Sequence, residues 1–260
     1  MKNELLFGDC IKKMDVIPDN HVDGVITSPP YNFGHNPLHQ AKDHKLNKLY
    51  KTFHDNMTNE EYLDFSLQVF RSYERVVKNS GVVCYVLGYN SKNASLPYQV
   101  VNHIENNTNF ILADTIVWKK KFSYPLQTSS THLSRICEFV FVFVHRDNKN
   151  SFVTNKEKGK INEKTGQQFY KHYTNIIEAK NNDGIRSSLN ATFSVDLVKQ
   201  IIEIYFPEES IILDNFMGIG TTPVACKHTN RKFIGIELER EYFDITKNRI
   251  DEKSKGKFWE

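Results

Sequence analysis

Two short stretches carry residue types that could do chemistry. The first, Ser28-Pro29-Pro30-Tyr31, closes an apolar run over residues 22–26. Each proline lacks an N–H and restrains the residue before it, so the chain there is stiff. Ser28 offers a hydroxyl, Pro29 a carbonyl and Tyr31 a flat ring. Such a set can grip a planar amino heterocycle by hydrogen bonds to the amine and stacking on the ring. Taken alone, the tetrapeptide reads better as a plain proline turn with a packed tyrosine.

The second stretch is Asp214-Asn215-Phe216-Met217-Gly218-Ile219-Gly220-Thr221-Thr222-Pro223. Two glycines two apart let backbone approach a ligand closely. Thr222 reads as a helix N-cap and Pro223 suits a first helical turn. Seventeen residues after Gly220, the next apolar run ends at Glu237, placed to accept hydrogen bonds from ribose hydroxyls. Position 223 is proline, so the third glycine of a dinucleotide fingerprint is missing, and no phosphate-binding GxxxxGK[ST] occurs. A nucleoside without a pyrophosphate fits better.

The elements that must position these stretches alternate, which argues for an α/β chain. Strands are expected over 22–26, 82–87, 115–118, 138–144, 211–213 and 232–236. Tyr62, Phe65, Val69, Tyr73 and Val76 recur at helical spacing, behind a capping box of Thr58 and Glu61, and Gly81 is expected to end that helix. Further helices are expected after Ser194, over 222–228 and over 241–250. The run 138–144 is apolar at nearly every position, as for a strand covered on both faces. Residues 145–190 break the pattern with nine Lys/Arg, five Asp/Glu and eight Asn, and read as a small basic insert between a first part, 1–144, and a last, 191–260.

Composition sets bounds. The 260 residues are 39% hydrophobic and 25% charged, enough for a sizeable core, and the net charge of +3 is too mild to prove a polyanion partner. The longest apolar run is six residues, Phe139 to Val144, so no membrane span is expected, and the first ten residues lack a signal-peptide core. Cys10, Cys84, Cys137 and Cys226 are far apart, which argues against a disulfide scaffold or cysteine zinc site and for a reducing cytosol. His35 and His39 have metal-pair spacing, but Pro37 lies between them, so no metal is expected.

The two stretches together, in this order, resemble the beta-class amino DNA methyltransferases. Gly8-Asp9-Cys10, Ile116-Val117-Trp118-Lys119, Glu138-Phe139-Val140-Phe141 and the segment from Glu241 to Ile250 are similar to further motifs of that family, so the resemblance covers most of the chain. Asn215 stands where the family usually has proline, and Asn190-Ala191-Thr192-Phe193 where it usually has His-Pro; no cofactor role is carried onto those positions.

The resemblance implies a Rossmann-like, S-adenosylmethionine-dependent methyltransferase fold, mostly parallel with one reversed strand. It implies S-adenosylmethionine as methyl donor: Asp214, Phe216, Gly218, Gly220 and Thr221 at the methionine end, Glu237 at the ribose, and Asp9 with Cys10 at the adenine. Ser28, Pro29, Pro30 and Tyr31 become the catalytic turn. Ser at the first position is associated with N4-cytosine activity, Asp or Asn with N6-adenine, so Ser28 points to cytosine N4. N6-adenine methylation, an RNA or protein substrate, and a non-catalytic DNA-binding subunit are the alternatives.

Duplex DNA is the implied partner, and the target base must leave the stack. Lys42, Lys45, Lys48 and Lys51 follow the catalytic turn, and Lys156, Lys158 and Lys160 lie in the insert with Phe152, Phe169, Tyr170 and Tyr173 interleaved. Both sets could track phosphates, though each also suits a solvated surface. The family context adds a bacterial or archaeal cytoplasm and leaves room for a separate restriction endonuclease and a homodimer.

Overall fold

The computed structural model describes residues 2–32, 57–89, 93–122, 128, 130–149, 152, 154–184 and 193–254. Lys42, Lys45, Lys48, Lys51, His35 and His39 lie outside them. In chain order the elements are β1 (Glu4–Phe7), α1 (Cys10–Met14), β2 (Val22–Thr27), α2 (Asn59–Val76), β3 (Val77–Leu87), α3 (Leu96–Asn107), β4 (Phe110–Lys120), β5 (Cys137–His145), β6 (Lys158–Ile161), β7 (Gln168–Tyr170), β8 (Ile176–Ala179), α4 (Val195–Tyr205), β9 (Ile211–Asp214), α5 (Thr221–His228), β10 (Lys232–Glu237) and α6 (Arg240–Ser254).

Eight strands form one sheet in the order β1-β10-β9-β2-β3-β5-β4-β8. β5 runs antiparallel to both of its neighbours, and every other pairing in this sheet is parallel. The expected Rossmann-like sheet with one reversed strand is what forms. Alternation along β3 explains its continuous apolar reading. Val83, Tyr85 and Leu87 join a core beneath α1, α2 and α3, while Val82, Cys84 and Val86 join one beneath α4 and α5. In the first core, Phe70 meets Tyr73, Tyr85, Phe110 and Phe143 edge-on at 5.0–5.6 Å. Quadrupoles favour that geometry over face-to-face contact.

Local expectations fared unevenly. The capping box is present: Thr58 Oγ1 accepts from Glu61 N, and Glu61 Oε2 accepts from Thr58 N. Gly81 does not end α2. The chain turns extended at Val77 (φ −84, ψ 133), and Gly81 lies inside β3 where the β2–β3 register slips. A Cβ at Gly81 would stand 2.4 Å from Val77 Cγ1, so close approach is what the glycine serves. Within 145–190, β6 and β7 pair with each other, whereas β8 adds to the main sheet beside β4.

β2 and β9 are neighbours in the middle of the sheet. From β2 the chain crosses through α2 to β3 on one side; from β9 it crosses through α5 to β10 on the other. Such a switch point leaves a crevice at the carboxyl ends of the two strands.

Candidate active site

The two sequence stretches meet in that crevice. Thr27, the last residue of β2, donates its hydroxyl hydrogen to Asp214 Oδ1 on β9 at 2.7 Å, across 187 positions of sequence. An open cleft of about 830 Å³ lies above, lined by Asp9, Cys10, Ser28, Pro30, Phe216, Gly218, Thr221 and Glu237 among others. Pro29, Tyr31, Asp214 and Gly220 are not among the residues that line it.

The glycine turn is held from several sides. Glu237, at the end of β10, accepts from Gly218 N and from Glu239 N, each at 2.7 Å. From α6, Thr246 Oγ1 donates to the Gly218 carbonyl at 3.0 Å and Arg249 Nη1 to the Ile219 carbonyl at 2.6 Å. The helix start differs from the sequence reading. Gly220, left-handed at φ 83, is the N-cap of α5, and Thr222 lies inside the helix with its hydroxyl on the Ile26 carbonyl at 3.4 Å. A Cβ at Gly220 would be 2.5 Å from Thr246 Cγ2. This glycine therefore serves a turn and a helix contact, and Gly218 is the one that faces the cleft.

Electrostatics give the cleft a sign. Asp9, Glu237 and Glu239 are in its lining, and no Lys or Arg is among the described residues that line it. Burial raises the Glu237 carboxyl from 4.5 to about 7, and the neighbouring Asp214 adds to the rise; the N–H groups of Glu239 and Gly218 oppose it. Burial also lifts Asp214 to about 6, against hydrogen bonds including those from Thr27 and Phe216 N. Asp214 Oδ2 and Asn215 Nδ2 are buried without hydrogen-bond partners among the described residues. Buried polar atoms normally have one; of these two residues Asn215 lines the cleft, and its amide nitrogen would donate to an acceptor on a ligand. Cys10 is no thiolate: burial, with Asp9 nearby, pushes it up to about 12. Asp9 caps α1, accepting from Lys12 N at 3.0 Å.

The Ser-Pro-Pro-Tyr turn is pinned at both ends. Tyr62 from α2 donates to the Pro30 carbonyl at 2.7 Å. Ser28 Oγ donates to the Tyr31 hydroxyl at 2.9 Å, which in turn donates to Glu138 Oε2 at 3.0 Å. Glu138, at the start of β5, also pairs with Lys120 at the end of β4. The sequence puts Glu138 in a strand motif and suggests no role for it; its signal is a carboxylate at the head of an otherwise apolar run. Among the described residues, no cluster of three or more His, Cys, Asp or Glu is arranged to hold a metal, and no helix is long and apolar enough to cross a membrane.

The model of the N6/N4 DNA methylase family matches residues 22–248, which takes in the catalytic turn, the glycine turn and Glu237. The chain belongs to that family. This methylase is a beta-class amino DNA methyltransferase, as its motifs implied. It is 26% identical to the type II methyltransferase M.HpaI of Haemophilus parainfluenzae over 98% of this chain and 76% of that one. Its fold matches the PvuII DNA methyltransferase (cytosine-N4-specific), at a TM-score of 0.70 and 17% identity over 96% of this chain and 86% of that one. It also matches a DNA modification methylase of Thermus thermophilus complexed with S-adenosyl-L-methionine, at a TM-score of 0.64 and 19% identity over 98% of this chain and 96% of that one.

Proposed function

We propose that the methylase transfers a methyl group from S-adenosylmethionine to the exocyclic N4 amine of cytosine in duplex DNA. One observation carries this reading: Ser28 and Pro30 line the same cleft as Gly218 and Glu237. The residues fit the donor. An acidic cleft with no Lys or Arg among its described lining residues suits a sulfonium and an ammonium, and Glu237 keeps lone pairs for ribose hydroxyls. Asp9, Cys10, Phe216, Gly218, Thr221 and Glu237 would hold it, with Asp214 and Gly220 shaping the turn from behind. When bound, it supplies an electrophilic methyl group.

The chain's task is to make the amine a nucleophile. An exocyclic amine has its lone pair spread into the ring. Hydrogen bonds accepted from its N–H groups localise that pair, and Ser28 Oγ and the Pro29 carbonyl are assigned to accept them, with Tyr31 offering its ring to the flipped base. Positioning and electrostatics then carry the reaction, with no covalent intermediate. Serine at position 28 supports cytosine over adenine. Incubating the purified protein with genomic DNA and cofactor, then digesting to nucleosides, tests this by mass spectrometry. N4-methylcytosine is the expected product. N6-methyladenine would replace the base and leave the rest standing; no methylated base would end the proposal.

Glu237 should make cofactor binding depend on pH. In the free protein its raised value keeps it protonated through most of pH 4.5 to 7, where an unfolded chain has lost that proton. Its contribution to folding stability therefore declines as pH rises across that window. A cation with hydroxyl donors favours the carboxylate, so binding should release a proton near neutrality and tighten about ten-fold from pH 6 to 8. Calorimetry in buffers of different ionisation heat reads both. Glu237→Gln should weaken binding and flatten the slope; a slope unchanged in that variant would assign the proton elsewhere.

DNA contact is assigned to the lysines. Lys158 and Lys160 are exposed on β6, opposite the half-exposed Phe169 and Tyr170 of β7, and Lys156 precedes them. Replacing Lys156, Lys158 and Lys160 by alanine should reduce the slope of log K against log salt by about one unit for each phosphate no longer neutralised. A second set at Lys42, Lys45, Lys48 and Lys51 should behave alike. An unchanged slope would make either segment a solvated surface.

A further inference from the structure

A hydroxyl is ambivalent, because it carries one hydrogen and two lone pairs and rotates to suit its partner. Left alone, Ser28 could donate to a ring nitrogen or carbonyl as readily as accept from an amine. The surroundings of Ser28 remove that choice. Lys120 Nζ donates to Glu138 Oε1, and the pair is mostly enclosed, with side chains 21% and 15% exposed. An ionised carboxylate can only accept, so the Tyr31 hydroxyl spends its one hydrogen on Glu138 Oε2. The phenol keeps that hydrogen, since burial and then the negative Glu138 raise its pKa well above the ordinary value. Tyr31 oxygen is thereby left as acceptor, and Ser28 fills it with its own hydrogen at 2.9 Å. What Ser28 presents to the cleft is lone pairs. Such a chain polarises each successive bond in the same sense. Space has been made for it: a Cβ on Gly88 would stand 2.8 Å from Tyr31 Cε2 and 3.3 Å from the Glu138 carboxyl carbon.

We propose that Glu138, anchored by Lys120 and acting through the Tyr31 hydroxyl, is a positioning residue that fixes Ser28 as a hydrogen-bond acceptor, so that the site selects an amino group over a carbonyl on the target base. The inference rests on the reading that Ser28 faces the exocyclic amine, and it holds for cytosine or adenine alike. Glu138 is not in the cleft lining, so it acts on the base only through Tyr31 and Ser28.

The test uses a duplex carrying the target site, once mapped, with either the amino base or its deaminated counterpart, uracil for cytosine or hypoxanthine for adenine. Tyr31→Phe keeps the ring and removes the relay oxygen; Glu138→Gln keeps the shape and removes the charge. Each should lower the single-turnover rate about ten-fold with cofactor affinity unchanged, as for one misdirected hydrogen bond. Each should also shrink the binding preference for the amino over the carbonyl duplex about ten-fold, because the freed Ser28 hydrogen can meet a carbonyl. Comparing variants on the same two duplexes cancels the pairing energy of the DNA. In a Ser28→Ala background neither substitution should change rate or preference further. Unchanged preference in the single variants, or additive losses in the double ones, overturns the relay while Ser28 keeps its assignment. Full-rate transfer by Ser28→Ala overturns the assignment of Ser28 and the relay with it.

Discussion

Ser28→Ala is expected to lower kcat on the order of 10²-fold, the usual cost of one preorganised transition-state hydrogen bond. The variant keeps the Pro29 carbonyl and the Tyr31 ring, so a residue of activity should remain. The fold should hold, because Ser28 is partly exposed at the cleft and the turn stays pinned by Tyr62 on the Pro30 carbonyl. Affinity for S-adenosylmethionine should stay within about two-fold, since the loss is confined to the transition state. Single-turnover transfer to DNA, with the product digested to nucleosides, measures the first quantity and calorimetry the second. A variant that loses cofactor affinity in proportion to rate would place Ser28 on the donor instead of the base.

Gly220→Ala is expected to cost stability before it costs chemistry. A left-handed conformation at φ 83 charges a side chain about 1–2 kcal/mol. The new Cβ would also stand 2.5 Å from Thr246 Cγ2, and overpacking of that kind costs about 1–3 kcal/mol more. Together they should lower Tm by roughly 5–15 °C for a chain of this size. Adding Thr246→Ser removes Cγ2, keeps the hydroxyl that bonds the Gly218 carbonyl, and should recover much of the packing part but not the backbone part. Thermal unfolding of both variants reads the two contributions apart. Wild-type stability in Gly220→Ala would mean that the turn relaxes at no cost.

Gly220 also marks the limit of what local sequence encodes. The glycine pair is legible as a ligand turn because strand, glycines, helix and acid follow one another along the chain. Which glycine faces the ligand is not legible, because the wall behind Gly220 is Thr246 on a later helix. The Thr58–Glu61 capping box is legible because both its bonds span three residues. Helix α3 escapes notice: Ser95 makes no side-chain cap, its first turn has no acid and its last no base. Pro97 in its first turn and the spacing of Leu96, Val100 and Ile104 are the signals that could have announced it. Strand β8 is four residues inside a basic, Asn-rich segment, too short to show a period. The Tyr31–Glu138 bond crosses 107 positions, and no local pattern encodes it.

The bond between Thr27 and Asp214 bears on how the protein is made. It joins strands 187 positions apart, and the Glu237 carboxylate that braces the glycine turn comes later still. A ribosome has therefore released the chain through Glu237 before this cleft can form. Contacts of such long separation also form late and slowly once the chain is free. Nascent and half-folded chains consequently lack this cleft, because it forms only once β2 and β9 have been joined. The same coupling means that ligand adds to global stability as RT ln(1 + [L]/Kd), so the small molecule acts as a clasp between the first and last parts of the chain.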